Sequence, residues 1–209
     1  MATINTIPED GSRLPLVEDF YTLQGEGFHT GKAAYFIRIG GCDVGCSWCD
    51  TKFSWNVAFH PLVSVAEIVS RVLSEPAKAV VVTGGEPMTY NLDLLCRRFA
   101  ENKIETFLET SGTYGFSGNW DWICLSPKRH EPPKRIFLEK ANELKVIIEN
   151  ASDFDWANNM AQQVNNKAIL FLQPEWSRHE EILPQIIDYI KLHPEWRISL
   201  QAHKYMHIP

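Results

Sequence analysis

Short apolar runs alternate along this chain with amphipathic segments, and that alternation restricts the folds open to it. Ala33–Ile39 (AAYFIRI), Ala79–Val82, Glu105–Glu109, Asp121–Leu125, Glu143–Glu149, Ala168–Leu172 and Trp196–Gln201 read as strands. Helical segments lie between several of them. Ser64 with Glu67 makes a capping box, and Val65, Ile68, Val69, Val72 and Leu73 form one apolar stripe before Pro76 stops the helix. Asn91 caps a second helix that turns Leu92, Leu95, Cys96 and Phe99 inward. Ser152 caps a third, and the fourth, SRHEEILPQIIDYIKLH, is disturbed at Pro184. Strands alternating with helices predict an α/β fold with a mostly parallel sheet and right-handed crossovers. At 209 residues the chain falls short of the ~250 of a closed eight-fold barrel. The expected fold is therefore an incomplete, truncated TIM-like barrel or an open sheet, with residues 1–209 as one domain. In both, ligands gather at the carboxyl ends of the strands. Here those ends carry GGC, TGGEP, ETSG, SPK and QP.

Three of the five cysteines, Cys42, Cys46 and Cys49, sit in GGCDVGCSWCDTKFSW with C-x3-C-x2-C spacing. The start, MATINTIPEDGSRLP, has no basic-then-apolar signal pattern, and no apolar run reaches the ~18 residues of a membrane span. A cytoplasmic location is expected. Clustered cysteines in a reducing compartment favour metal or catalysis over disulfides. The net charge of −6 argues against a nucleic-acid partner. Three chemistries fit the loop. Zinc would take Asp50 or His60 as a fourth ligand. A redox pair would leave Cys42 unused. A four-iron, four-sulfur cluster would be held by three thiolates, with one iron open to a reactive ligand. Cys96 and Cys124 lie in apolar patterns and read as small buried hydrophobes.

The cysteine spacing, the aromatic before the last cysteine and GGEP at Gly84–Pro87 resemble the signature of the radical S-adenosylmethionine (SAM) superfamily. That resemblance implies a radical SAM core. Cys42, Cys46 and Cys49 would hold a [4Fe-4S] cluster whose open iron binds SAM. Trp48 would lie near the adenine, with Gly84, Gly85 and Glu86 at the methionine moiety. Phe20–Cys42 (FYTLQGEGFHTGKAAYFIRIGGC), CDT at Cys49–Thr51, ETSGT, SPK, ELKVII, QP and the terminal HKYMHIP resemble the 7-carboxy-7-deazaguanine synthase family.

This family resemblance implies a lyase of queuosine and 7-deazapurine biosynthesis. It converts 6-carboxy-5,6,7,8-tetrahydropterin to 7-carboxy-7-deazaguanine with loss of ammonia, after hydrogen abstraction by a 5′-deoxyadenosyl radical and ring contraction. It implies substrate contacts at Leu23, Gln24, Gly25, Glu26, Arg38, Thr83, His203 and the terminal Pro209. Asp50, Cys49, Ser126, Pro127, Lys128 and Gln173 would join the SAM site, and Glu109 would reach the SAM ribose. Thr51 would contact Mg²⁺. A homodimer and an electron-donor protein such as a flavodoxin are implied as partners. Arg38 suits a substrate carboxylate because guanidinium binds it bidentately. The competing readings are another radical SAM enzyme, such as a glycyl-radical activase, and a non-catalytic zinc or iron–sulfur module. For the segment Ser126–Asn142 two arrangements are open, one ordered over the SAM site and one a surface loop.

Overall fold

The computed structural model describes residues 7–209; residues 1–6, part of the stretch scanned above for an export signal, lie outside them. In chain order the elements are β1 (Arg13–Leu23), β2 (Ala33–Ile39), β3 (Leu62–Ser64), α1 (Val65–Leu73), β4 (Ala79–Gly84), α2 (Asp93–Glu101), β5 (Glu105–Thr110), β6 (Trp122–Leu125), α3 (Arg135–Lys140), β7 (Glu143–Ile148), α4 (Ser152–Gln163), β8 (Ile169–Pro174), α5 (His179–Leu192), β9 (Trp196–Ile198) and α6 (Ala202–Met206). Among the described residues, one sheet contains all nine strands in the order β3-β1-β2-β4-β5-β6-β7-β8-β9. Every neighbouring pair from β2 to β9 is parallel. β1 runs antiparallel to β2 and β3. The sheet stays open, with β3 and β9 at its edges, as a truncated barrel requires.

The period of two along each strand separates the two faces. Ile37, Ile39, Val80, Val82, Leu108, Leu125, Leu144, Val146, Ile148 and Leu172 point to the main core. There they meet the inward stripes of the helices: Ile68 and Val72 of α1, Leu95 and Phe99 of α2, Ala157 and Met160 of α4, and Ile182 and Ile186 of α5. The other face is apolar towards the amino ends, where Ala34, Ala79, Val81 and Phe107 cluster with Phe36 and Trp122. Towards the carboxyl ends it carries Arg38, Thr83, Glu109, Lys145 and Gln173.

Several local expectations need correcting. Ser64 Oγ accepts the Glu67 N–H at 3.2 Å, but Glu67 turns its carboxylate to Arg71 (2.7 Å), so only half of the capping box forms. Leu73 is 48% exposed and lies off the apolar stripe. Asn91 Oδ1 accepts the Asp93 N–H at 2.9 Å, one residue before the helix cap at Leu92. Ser152 is the first residue of α4 and gives its N–H to Asn150 Oδ1 (3.0 Å), while Asp153 fastens the preceding turn by accepting the N–H groups of Glu149 and Asn150 (2.8 and 2.9 Å). α5 continues through Pro184, since one lost backbone bond is outweighed by packing of Ile182 and Ile186. β9 ends at Ile198, and the tail forms α6. β1, β3 and α3 were not legible in the sequence. β1 carries Pro15, Glu18 and Asp19 and is half exposed along much of its length, so its apolar signal is diluted.

Candidate active site

The loop between β2 and β3 carries the three cysteines and lies across the carboxyl ends of the strands. Backbone hydrogen bonds hold it in place: Gly41 N–H to Ser54 O (2.7 Å), Cys42 N–H to Trp55 O (3.2 Å) and Cys49 N–H to Cys46 O (3.2 Å). A second set ties it to the loop after β4: Gly85 N–H to Ile39 O (3.0 Å) and Glu86 N–H to Gly41 O (2.8 Å). A Cβ on residue 85 would fall 2.2 Å from the Gly41 carbonyl oxygen, which leaves room only for glycine. From outside, the Tyr114 hydroxyl bonds Asp43, and His130 Nε2 lies 2.6 Å from Val44 O. The start of the Ser126–Asn142 segment is thus ordered against the cysteine loop, and the rest leads into α3.

Cys42, Cys46 and Cys49 all line one cavity of about 290 Å³. Burial pushes the thiols of Cys42 and Cys46 up. Among the described residues, the group of three His, Cys, Asp or Glu ligand atoms within 4.8 Å of one another is Glu109, Cys124 and Glu143. The loop thiols are therefore spread more widely than that. One tetrahedral zinc with ~2.3 Å bonds would draw its sulfurs to about 3.8 Å. The alternative zinc ligands hold other partners: His60 Nε2 lies 3.1 Å from Phe53 O, and Asp50 pairs with Lys204 at 2.9 Å. A zinc ion would have to draw the three thiols together and displace one of these contacts.

The same cavity gathers Leu23, Gln24, Gly25, Glu26, Arg38, Trp48, Asp50, Thr51, Thr83, Gly84, Gly85, Glu86, Glu109, Ser126, Lys128, Gln173, His203 and Pro209. Pro127 alone of the expected set is absent from the lining; it is buried behind it. Arg38 gives its Nε–H to Glu18 (2.7 Å), which leaves its two terminal nitrogens for a ligand. Thr83 stands beside it in register on β4. Lys128 bonds Ser126 Oγ (2.8 Å) and lies 5.0 Å over the Trp48 ring. Thr51 Oγ1 is 3.4 Å from Cys49 Sγ. Glu86 is 2% exposed and serves as a brace. Its carboxylate accepts from Thr110 Oγ1 (2.6 Å), Ser111 N (2.8 Å), Met88 N (3.0 Å) and Ser111 Oγ.

The loop between β1 and β2 folds back across the inner face of the sheet. His29 stacks on Phe107 and Phe28 on Trp122 (centroids 4.1 and 4.7 Å), while Phe28 N–H bonds Glu143 (2.9 Å). Gly27 adopts φ +64, and a Cβ there would lie 2.2 Å from Glu143 Oε1, so both backbone and space require glycine. Gly27 N–H bonds Ser199 Oγ (2.9 Å), which in turn donates to Gln173 (2.7 Å). This crossing brings Glu26 to Lys145 (2.6 Å), which also holds Glu109 (2.8 Å). Burial by itself would raise the Glu26 pKa, but the Lys145 ammonium with hydrogen bonds from Lys145 and Gln201 holds it at about 2. Burial pushes the His203 imidazole down, against the pull of Glu26.

Lys145, Gln201, Thr110, Ser111 and Trp176 also line the cavity and were missed in the sequence reading. For Lys145 the signal was present: a lysine at the middle of the buried-type strand ELKVII has no solvent to point at. Cys96 and Cys124 are buried as expected, although Cys124 faces Glu109 and Glu143 rather than the apolar core.

The Radical SAM superfamily profile matches residues 36–124. A 7-carboxy-7-deazaguanine synthase of Flavobacterium psychrophilum is 55% identical over 96% of this chain and 95% of its own. One from Synechocystis is 45% identical over 92% of each chain. The crystal structure of QueE from Escherichia coli superposes with a TM-score of 0.82 at 29% identity, covering 93% of this chain and 96% of that one. Coverage of 92–96% of the chain means that the likeness extends well beyond the segment 36–124 that carries the cysteine loop. The chain belongs to the 7-carboxy-7-deazaguanine synthase family of the radical SAM superfamily.

Proposed function

We propose that this chain converts 6-carboxy-5,6,7,8-tetrahydropterin to 7-carboxy-7-deazaguanine and ammonia. The observation that carries the reading is a single cavity lined by the cysteine loop at one side and by Arg38, Gln24 and Glu26 at another. When bound by Cys42, Cys46 and Cys49, a [4Fe-4S] cluster with SAM would supply the hydrogen-abstracting radical. The protein's own part is positioning, since the cofactor carries the hard chemistry. Arg38 would take the substrate carboxylate through its terminal nitrogens. Gln24 and Glu26 would face the pyrimidine edge of the pterin, whose N2 and N3 hydrogens need acceptors. Trp48 and Lys128 would flank the adenine end. His203, whose pKa burial lowers, and Pro209 would close the substrate side.

Thr51 would hold Mg²⁺ weakly, because a neutral hydroxyl is a poor ligand for a hard cation that also wants water and substrate oxygen. The substrate carboxylate would complete that site. We further propose a single domain over residues 1–209, a homodimer, a flavodoxin-type electron donor and a cytoplasmic setting. Among the described residues, no helix is long and apolar enough to cross a membrane.

The test is anaerobic turnover of the reconstituted enzyme with reductant, SAM, Mg²⁺ and carboxytetrahydropterin, read by mass spectrometry. Both 7-carboxy-7-deazaguanine and 5′-deoxyadenosine should form, and Cys42→Ala should abolish both. 5′-Deoxyadenosine without the deazaguanine would sink the substrate assignment.

A further inference from the structure

At the centre of the cavity three charged side chains meet from three parts of the chain. Lys145 of β7 is 4% exposed at its side chain and stands 2.6 Å from Glu26 Oε2, in the β1–β2 loop, and 2.8 Å from Glu109 Oε2, in β5. One ammonium between two carboxylates leaves one negative charge over. Buried charge without compensation is costly, so a ligand that brings N–H donors completes the group. Gln24 and Gln201 add to the frame: Gln24 Nε2 reaches Glu109 (3.3 Å), and Gln201 Nε2 reaches Glu26 Oε1 (2.9 Å).

We propose that Lys145 is a positioning residue which holds Glu26 as a charged acceptor for the 2-amino and N3 hydrogens of the pterin, a role that rests on the pterin being the substrate. The other groups around Lys145 do not replace it. Glu143 turns to the Phe28 N–H, and burial together with Glu109 raises its pKa. Cys124 is pushed well above the thiol range by burial and stays neutral. Lys128 and His203 act on the trio only through space, and burial pulls the pKa of each down. Without Lys145, burial of Glu26 is opposed only by the Gln201 hydrogen bond and by His203 acting through space, the two smallest of the effects that lower its pKa. The carboxyl then takes up a proton and presents a donor where the substrate also presents donors.

The test is anaerobic binding of 6-carboxytetrahydropterin, whose N3 hydrogen is retained across this range where that of the oxidised 6-carboxypterin is not, to the cluster-loaded enzyme without SAM between about pH 6 and pH 9, each variant compared with wild type at the same pH. Lys145→Met should weaken binding at pH 7 about 10- to 100-fold, the effect of one charge-assisted hydrogen bond. The deficit should shrink towards pH 9 as Glu26 regains its charge. Iron content should stay at the wild-type level, and in turnover KM should rise more than kcat falls. Glu26→Gln should weaken binding with no alkaline recovery, and Lys145→Met/Glu26→Gln should match it. Wild-type affinity in Lys145→Met, or a deficit constant from pH 6 to pH 9, overturns the proposal. If Lys145→Met does not fold, the double variant decides: affinity equal to Glu26→Gln supports the role, and a further loss overturns it. Wild-type enzyme that binds 6-carboxytetrahydropterin yet makes no deazaguanine would sink the reaction and leave the positioning role standing.

Discussion

Glu86 is a charged residue whose partners are all donors of the protein itself. Met88 N, Thr110 Oγ1, Ser111 N and Ser111 Oγ all bond its carboxylate, so Glu86→Ala would strand four donors in a 2% exposed position. That should cost about 3–5 kcal/mol, read as a lower unfolding midpoint of the cluster-free protein. Glu26 gives a second prediction, whose sign follows from its depressed pKa. Its folded value of about 2 lies below the ordinary 4.5, so the stabilisation is present above pH 4.5 and is lost as pH falls towards 2. The shift corresponds to about 3 kcal/mol. The wild-type advantage over Glu26→Gln in urea unfolding should be full above about pH 5 and gone near pH 2; an advantage that persists at pH 2 counts against the ion pair as its source. Cys42 was legible from its spacing, whereas Arg38 and Glu26 were legible only through the family resemblance of FYTLQGEGFHTGKAAYFIRIGGC. Lys145 left one trace, a lysine inside an apolar strand, but its partner Glu26 lies more than a hundred positions away and no local pattern names it; Gln201, equally far from Glu26, left none.

Elements were easiest to read where one period dominated. β4, β5 and β7 are buried on both faces or nearly so, and their apolar runs announced them. β1 was hidden because its partners are β2 and β3 at one edge of the sheet, where half-exposed residues dilute the alternation. α3 was masked by Pro132 and Pro133 just before it, which read as a loop signal. The loops that carry the site depend on one another rather than on their own sequence. The cysteine loop and the loop after β4 share the Gly85 N–H to Ile39 O and Glu86 N–H to Gly41 O bonds. Gly85→Ala would drive its Cβ to 2.2 Å from the Gly41 oxygen and part the two loops. We expect that variant to fold, because the sheet and helices do not use this contact, but to lose most of its iron on gel filtration after reconstitution. Iron retained at the wild-type ratio would show that the cysteine loop keeps its shape without this abutment.

At the scale of the whole molecule, an open sheet has to enclose a substrate without the strands that would complete a barrel. Two crossings do this. The β1–β2 loop spans the inner face through Phe28 N–H to Glu143 and Gly27 N–H to Ser199. The C-terminal helix then docks onto that loop through Ala202 N–H to Gly25 O (2.9 Å) and onto the cysteine loop through Lys204 to Asp50 (2.9 Å), with Lys204 4.6 Å over Trp176. Exposed pairs of this sort contribute only about 0.2–1 kcal/mol each, so α6 is held by several weak ties and can lift more cheaply than any strand. Beyond it, Pro209 lines the cavity while remaining exposed on its outer side. Removing His207–Pro209 should therefore leave the fold, the iron content and substrate-free SAM cleavage unchanged, since none of the cysteine-loop bonds is lost. It should raise KM for the pterin by about tenfold, equivalent to ~1.4 kcal/mol of binding, by opening the substrate side to water. Steady-state kinetics with the pterin varied at saturating SAM would measure this directly. An unchanged KM would make the tail a bystander and put the closure of the substrate side on the β1–β2 loop alone.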